Sequence, residues 1–410
     1  MSRKVFLIIL AALLGLALGG LVGFAALMEH HENLPPEETY LPMPTETTVA
    51  TMAPTTEVPT TAAPTTQPPT TVPTEEPTTA PTTEPTEVPT EAPTEPAPTE
   101  PQPETFLLSF IGDCTLGSSP DNYGAMHTFV HTIGEDYDYP FANVKQYFEM
   151  DDFTFANLEG VFTDERLYSD SYFSFRGPTA YTQILTGSSV EAVTLANNHT
   201  GDFGAKGMNH TKDALNAAHV TYVEKDCSAI HVTESGLTIG LYAVSFVLDE
   251  KDLQAEIQEL RDHGAELVIV AFHWGTEGAY RPGSMEVLNA QKAIDAGANI
   301  VYGAHPHVLQ RVEEYNGGII YYSLGNFSFG GNNFPRDMDS AILQQEVIRE
   351  LDGTIRLGEL TMIPVSISSM ERQNNFQPTP YETDSEAYLR TISKLDGTFT
   401  GPNLVVDYDN

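Results

Sequence analysis

The sequence predicts an α/β domain, a sheet with helices on its faces, and three observations carry that expectation. From Phe106 to Ala296 short strand-like apolar runs alternate with stretches of helical periodicity. Leu267 to Phe272 is apolar without interruption, as in a strand covered on both faces. Polar residues able to do chemistry collect where the runs stop, which is where open α/β sheets bind ligands.

Composition bounds the rest. With 410 residues the chain has room for one large domain plus appendages. Its formal charge is −38, from 57 acidic and 19 basic residues, with no cluster of Lys and Arg, so nucleic acid is excluded as a partner. Cys114 and Cys227 are too few for a disulfide framework, and whether they pair is left open. The domain must stand on its own hydrophobic core.

Arg3 and Lys4 precede an apolar run from Val5 to Met28 that holds no charged residue. About 20 apolar residues cross a bilayer, and basic residues before them keep that end in the cytoplasm. Residues 1–28 are therefore expected to be a transmembrane signal-anchor, single-pass, that leaves the domain outside the cytoplasm at the cell surface. A cleaved signal peptide ending near Gly23-Phe24-Ala25 is the competing reading. Residues 29–104, rich in Pro, Thr and Glu, cannot bury enough surface to fold. They are expected to be a disordered linker, a stalk reaching on the order of 200 Å at ~3.1 Å per residue. Residues 105–370 form the expected domain, and 371–410 a C-terminal extension with a short helix.

Within the domain, Phe106 to Ile111 is the expected first strand, ended by Gly112-Asp113. A helix near Val144 to Met150 leads to a strand from Phe153 to Ala156 and then to Asn157-Leu158-Glu159. Val190 to Leu195 runs into Asn197-Asn198-His199, followed by a helix from about Ala205 to Ala218 and strands near Thr221 to Val223 and Leu237 to Val244. His210 and His219 have no partners nearby in sequence and are expected to be structural. A helix from Asp249 to His263, with Leu253, Ile257 and Leu260 on one face, feeds the strand before His273-Trp274-Gly275-Thr276-Glu277. The expected helix from Ser284 to Ala296 delivers the chain to a strand at Asn299 to Tyr302, and then to His305-Pro306-His307. Gly318 to Tyr322 reads as a strand before Ser323-Leu324-Gly325-Asn326; Ser340 to Arg349 and Thr354 to Pro364 read as a hairpin turning at Asp352-Gly353. A last helix is expected from Asp384 to Lys394.

Five polar clusters thus follow strands: Asp113, Asn157 with Glu159, Asn198 with His199, His273, and His305 with His307. In an extended loop, side chains at i and i+2 point the same way, and Pro306 stiffens the segment, so both imidazoles can be aimed at one ion. Taken alone, that pair reads more readily as two unrelated surface histidines. Carboxylate, amide and imidazole groups converging on one sheet edge describe a site for one or two borderline-to-hard divalent ions, not a Cys-based zinc site. The alternative is that all five clusters are caps and turns.

Six motifs, Gly112-Asp113 to Gly117, Asn157-Leu158-Glu159, Asn197-Asn198-His199, His273-Trp274-Gly275-Thr276-Glu277, Gly303-Ala304-His305-Pro306-His307 and Ser323-Leu324-Gly325-Asn326-Phe327, together resemble the CapA family of capsule or poly-γ-glutamate synthesis proteins. The resemblance covers about Phe106 to Pro364. That family is similar to the calcineurin-like metallophosphoesterases, which implies a metallophosphatase-like two-sheet sandwich flanked by helices, holding one or two divalent metal ions for which Mn, Zn and Fe are suitable. By the same resemblance Asp113, Glu159, Asn198, His273, His305 and His307 are metal ligands. His199 is the acid that helps a leaving group depart, Asp113 is the other catalytic residue, and Asn157, Trp274, Glu277, Ser323 and Asn326 shape the substrate pocket. The metallophosphoesterase pattern has a histidine two residues after the first aspartate, where this chain has Thr115, and Glu159 stands in for its bridging aspartate. One metal position is therefore expected to be weak or empty. Cys114 is expected to be a small buried residue facing away from Asp113.

The function so implied is that of a membrane-anchored extracellular protein of poly-γ-glutamate capsule biosynthesis and a metal-dependent hydrolase. Polymer synthase or export subunits, and an anionic polymer or phosphate ester, are its expected partners. A surface metallophosphoesterase with an unrelated substrate, or a non-catalytic binding module with a decayed metal site, are the alternatives.

Overall fold

β1 (Glu104–Thr115) is the axis on which the fold is laid out. Phe106, Leu108 and Phe110 line its face toward one core, while Ile111 and Cys114 serve a second core on the opposite side. The computed structural model describes residues 101–405 except 170, 172 and 245–249. The expected signal-anchor and the linker up to residue 100 lie outside the described residues. Among the described residues no helix is long and apolar enough to cross a membrane.

In chain order β1 is followed by β2 (Phe153–Leu158), β3 (Val161–Phe162), β4 (Arg176–Gly177), β5 (Ala192–Thr194), β6 (Thr221–Val223), β7 (Cys227–Val232) and β8 (Thr238–Val244). Then come β9 (Leu267–His273), β10 (Ile300–Ala304), β11 (Val312–Tyr315), β12 (Gly318–Tyr321), β13 (Asn326–Phe329), β14 (Asp339–Arg349), β15 (Ile355–Ser366) and β16 (Thr379–Pro380). One sheet has the order β16-β15-β14-β1-β2-β5-β6, with β13 also paired to β1; the other has the order β11-β12-β10-β9-β8-β7. β3 and β4 make a small separate ribbon.

The second sheet is parallel through β8, β9 and β10, as the helical crossovers Glu250–Asp262 and Ser284–Asp295 require, and β12 also pairs parallel with β10 after the chain passes through β11. Every residue of β9 is buried, because one face meets the first sheet and the other lies under those two helices. Between the sheets Phe110 packs on Tyr321 at 5.1 Å, and the Tyr302 hydroxyl donates to Ile111 O at 2.7 Å. These contacts fasten the sheets together directly beneath the strand ends. The result is a two-sheet α/β sandwich flanked by helices.

Most expected elements are present within a few residues of their expected bounds, including the β14–β15 hairpin, whose turn carries Gly353 at φ +83°. Six strands escaped the sequence reading, among them the short β3, β4 and β16. β7 is an exposed edge strand, β11 pairs with β12 across Asn316-Gly317, and β13 pairs with β1. The C-terminal stretch is no loose appendage: β16 pairs with β15, and the helix Glu386–Leu395, capped by the Ser385 side chain, packs on β14 and β15. Both cysteines are free, Cys114 buried and Cys227 exposed. His210 hydrogen-bonds Thr163 at 2.7 Å.

At the opposite ends of the strands Thr154 bridges two carboxylates, donating its hydroxyl to Asp151 at 2.8 Å and its backbone N–H to Glu191 at 2.7 Å. Burial raises Asp151 to about 7 and Glu191 to about 8. Unfolded carboxyls titrate near ~4, so the folded state binds these protons more tightly. The stability they contribute is complete below that value and is lost as pH rises through 7 to 8. An Asp151→Asn/Glu191→Gln double variant is expected to lose less stability than the wild type between pH 5.5 and 8.5. Urea midpoints at the two pH values measure this, and parallel losses would refute it.

Candidate metal centre

Asp113 sits where β1 exchanges neighbours. Its Cα registers with Asn157 of β2 on one side and Asn326 of β13 on the other, with an irregularity in the β1–β2 register just before it and one in the β1–β13 register just after it. Only glycine fits at 112, since a Cβ there would lie 2.1 Å from Gly325 O. Asn157 donates to Asp113 Oδ1 at 2.8 Å and accepts from Asn197 at 3.0 Å, which fixes the carboxylate and leaves Oδ2 facing His307 Nδ1 at 3.1 Å.

Glu159 follows β2 and is fully buried, yet neither of its carboxylate oxygens has a hydrogen-bond partner. His273 ends β9, in register with Ala304 on β10, and the loop beyond carries His305 and His307. That loop is not extended as expected. His305 has φ +99° and His307 φ +56°, conformations that non-glycine residues seldom hold and that concentrate at functional sites. The turn still brings the two rings to 5.9 Å, and His305 to 4.7 Å from His273.

The possible donor atoms fall into three overlapping groups, each within 4.8 Å: Asp113, Glu159 and His307; Glu159, His273 and His305; and Glu277, His305 and His307. Asn198 Oδ1 lies 2.7 Å from His273 Nε2, extending the second group. Glu159 is common to two groups. Asn326 Oδ1 lies 2.9 Å from His307 Nδ1, the nitrogen that also faces Asp113 Oδ2 at 3.1 Å, and so helps to set the angle of the ring.

These residues fit a divalent cation on physical grounds. A buried carboxylate with both oxygens unpaired costs several kcal/mol unless a cation compensates it. Without a metal a proton takes that part. Burial opposes charge on His307, but Glu159 and Asp113 outweigh it and raise the imidazole to about 10. Burial lowers His273 and His305, which stay neutral with lone pairs to give. Thr115 is buried and its hydroxyl has no partner, so the position two residues after Asp113 adds no imidazole, and His307 is the one histidine grouped with Asp113.

The centre opens into a cleft of about 850 Å³ lined by Glu159, Asn198, His199, Glu277, His307 and Asn326, among others. His199 Nδ1 is held by Asp202 at 2.9 Å, and its ring packs edge-on against Phe175. Burial opposes protonation of His199, but the Asp202 hydrogen bond and the charge of Glu159 prevail and raise it. Three residues expected to shape the pocket do not line it. Asn157 is fully buried as the support of Asp113. Trp274 stacks on Phe272 at 4.2 Å and donates to Tyr322 O, drawn into the core by its apolar rings. Ser323 donates to Val308 O and so ties down the histidine loop. Conversely, Glu277 stands among the possible ligands, and Asp202 orients His199; the His-x-x-Asp spacing was the available signal.

Two sheets with carboxylates and imidazoles gathered where their parallel strands end define an α/β protein with a candidate divalent-metal centre. The chain belongs to the bacterial capsule synthesis protein family PGA_cap, which matches residues 107–331, in agreement with the CapA resemblance. It is 27% identical over 320 residues to the capsule biosynthesis protein CapA of Bacillus anthracis, covering 71% of this chain and 74% of that protein. It is 28% identical over 319 residues to the PGA biosynthesis protein CapA of Bacillus subtilis strain 168, covering 71% and 78%. Among solved structures, NAD nucleotidase of Haemophilus influenzae matches 72% of this chain and 56% of its own with a TM-score of 0.34 and 10% identity, too weak a likeness to bear on the fold.

Proposed function

We propose that this protein is a metal-dependent hydrolase of metallophosphoesterase type that serves poly-γ-glutamate capsule biosynthesis at the outer face of the cell membrane. The names of its two Bacillus relatives support the pathway. One observation supports the chemistry above others: fully buried Glu159, with neither oxygen hydrogen-bonded, lies at the junction of two groups of possible ligands. The apolar run before the stalk supports the location, with synthase or export subunits as partners in the membrane.

Asp113, Glu159 and His307 would hold one ion, and Glu159, Asn198, His273 and His305 another. Such ions supply Lewis-acid charge that stabilises an oxyanion. The chain's own residues do the rest. With Nδ1 taken by Asp202, the His199 ring is fixed and keeps Nε2 for a proton that it can give to a departing oxygen in the cleft. Asn157 and Asn326 keep Asp113 and His307 in place. Because Thr115 offers no imidazole, the ion beside Asp113 is the weaker bound.

His199→Ala is expected to keep the wild-type metal content while slowing a phosphodiester with a poor leaving group by about 100-fold, and to slow one with a good leaving group far less. In the host cell, deleting the gene should remove surface polymer; the wild-type gene should restore it and the His199→Ala gene should not. A purified protein without bound metal, or full restoration by the variant, would refute the reading.

A further inference from the structure

The outer wall of the cleft comes from residues beyond 331, outside the matched family region: the segment 332–337, together with Leu404 and Val405. That wall is clamped. Leu404 N donates to Gly278 O at 2.9 Å, Arg281 donates to Phe399 O and Gly401 O, and Arg336 Nη1 donates to Val405 O at 2.8 Å. Among the described residues that line the cleft, Arg336 is the only lysine or arginine.

The neighbouring carboxylates are already engaged. Asp337 accepts from Tyr280 and Lys394, Asp202 from His199 and the Phe175 N–H, and Glu159 and Glu277 belong to the metal centre. Among the described residues no carboxylate forms an ion pair with Arg336, whose side chain is exposed. One edge of its guanidinium is thus held by a backbone carbonyl, while among the described residues its charge and its other N–H groups have no further partner. In a chain of net charge −38, a polyanion needs such a fixed cation in order to enter.

We infer that Arg336 is a specificity-determining residue that binds a carboxylate of a polyanionic chain whose reacting bond lies at the metal centre. The inference rests on the proposed part in poly-γ-glutamate capsule biosynthesis and assigns the part of the cleft that recognises the polymer. A guanidinium takes a carboxylate through two parallel N–H donors, which an ammonium cannot imitate.

The test is equilibrium binding of fluorescently labelled poly-γ-glutamate to metal-loaded full-length protein across a salt series. Arg336→Ala is expected to weaken binding about tenfold and to flatten its salt dependence, with Arg336→Lys recovering the salt dependence but only part of the affinity. Metal content equal to the wild type distinguishes this from a disturbed fold. Equal polymer affinity in wild type and Arg336→Ala overturns the assignment and leaves the proposed function standing. So does a loss accompanied by loss of metal. A wild type that holds metal but binds no polymer overturns both.

Discussion

Glu159→Gln is expected to deplete metal from both halves of the centre at once and to reduce hydrolysis to background. The substitution keeps the shape of the side chain and removes the one carboxylate common to two groups of ligands. Outer contacts to metal ligands alone are worth about 10–100-fold in affinity or activity, so loss of a shared ligand should exceed that range. The fold should survive. Burial raises Glu159 to about 7, and a neutral amide relieves that desolvation in the metal-free protein. The expected pattern is therefore metal content near zero by elemental analysis together with a thermal midpoint at or above that of the metal-free wild type. Full metal occupancy in the variant would place the centre elsewhere.

The second large effect concerns stability. Lys394, 3% exposed, donates to Asp337 at 2.6 Å and to Asp339 at 2.7 Å, under the rings of Tyr280 and Phe399. Asp339, 2% exposed, also takes two bonds from Arg390. Lys394→Met preserves much of the stem but leaves the carboxylates short of a cation in a buried place. Breaking such a cluster by removing one partner costs about 3–5 kcal/mol, which in a domain of this size lowers the midpoint by roughly 10 °C. Calorimetry of the metal-loaded protein measures it, and a shift of only a degree or two would mean that water already screens the cluster.

Much of the centre was legible because its residues follow apolar runs, and such runs declare themselves. Asp113, Glu159, His273 and His305 each come just after a strand or at its end, so their convergence follows from parallel strands presenting the same end. What lay further off was not legible. Trp274 sits beside His273 and Ser323 just beyond a strand, yet position in the sequence does not say which neighbour turns inward. β7 has an exposed, mixed pattern that carries no period, whereas Asn316-Gly317 was a usable hairpin signal for β11 and β12. The cleft wall at residues 332–337 and 404–405 is irregular backbone, positioned by contacts that join distant parts of the chain, and no local pattern encodes it.

The exchange of partners along β1 has a consequence for how this gene can change. Asp113 and Cys114 are adjacent residues serving opposite sides of the strand, one the centre and one the apolar core beneath the helices. A single codon gained or lost between Ile111 and Asp113 would swap them, presenting a thiol to the ions and a carboxylate to hydrocarbon. Substitutions can be absorbed nearby, but the spacing of this segment is locked to the residue.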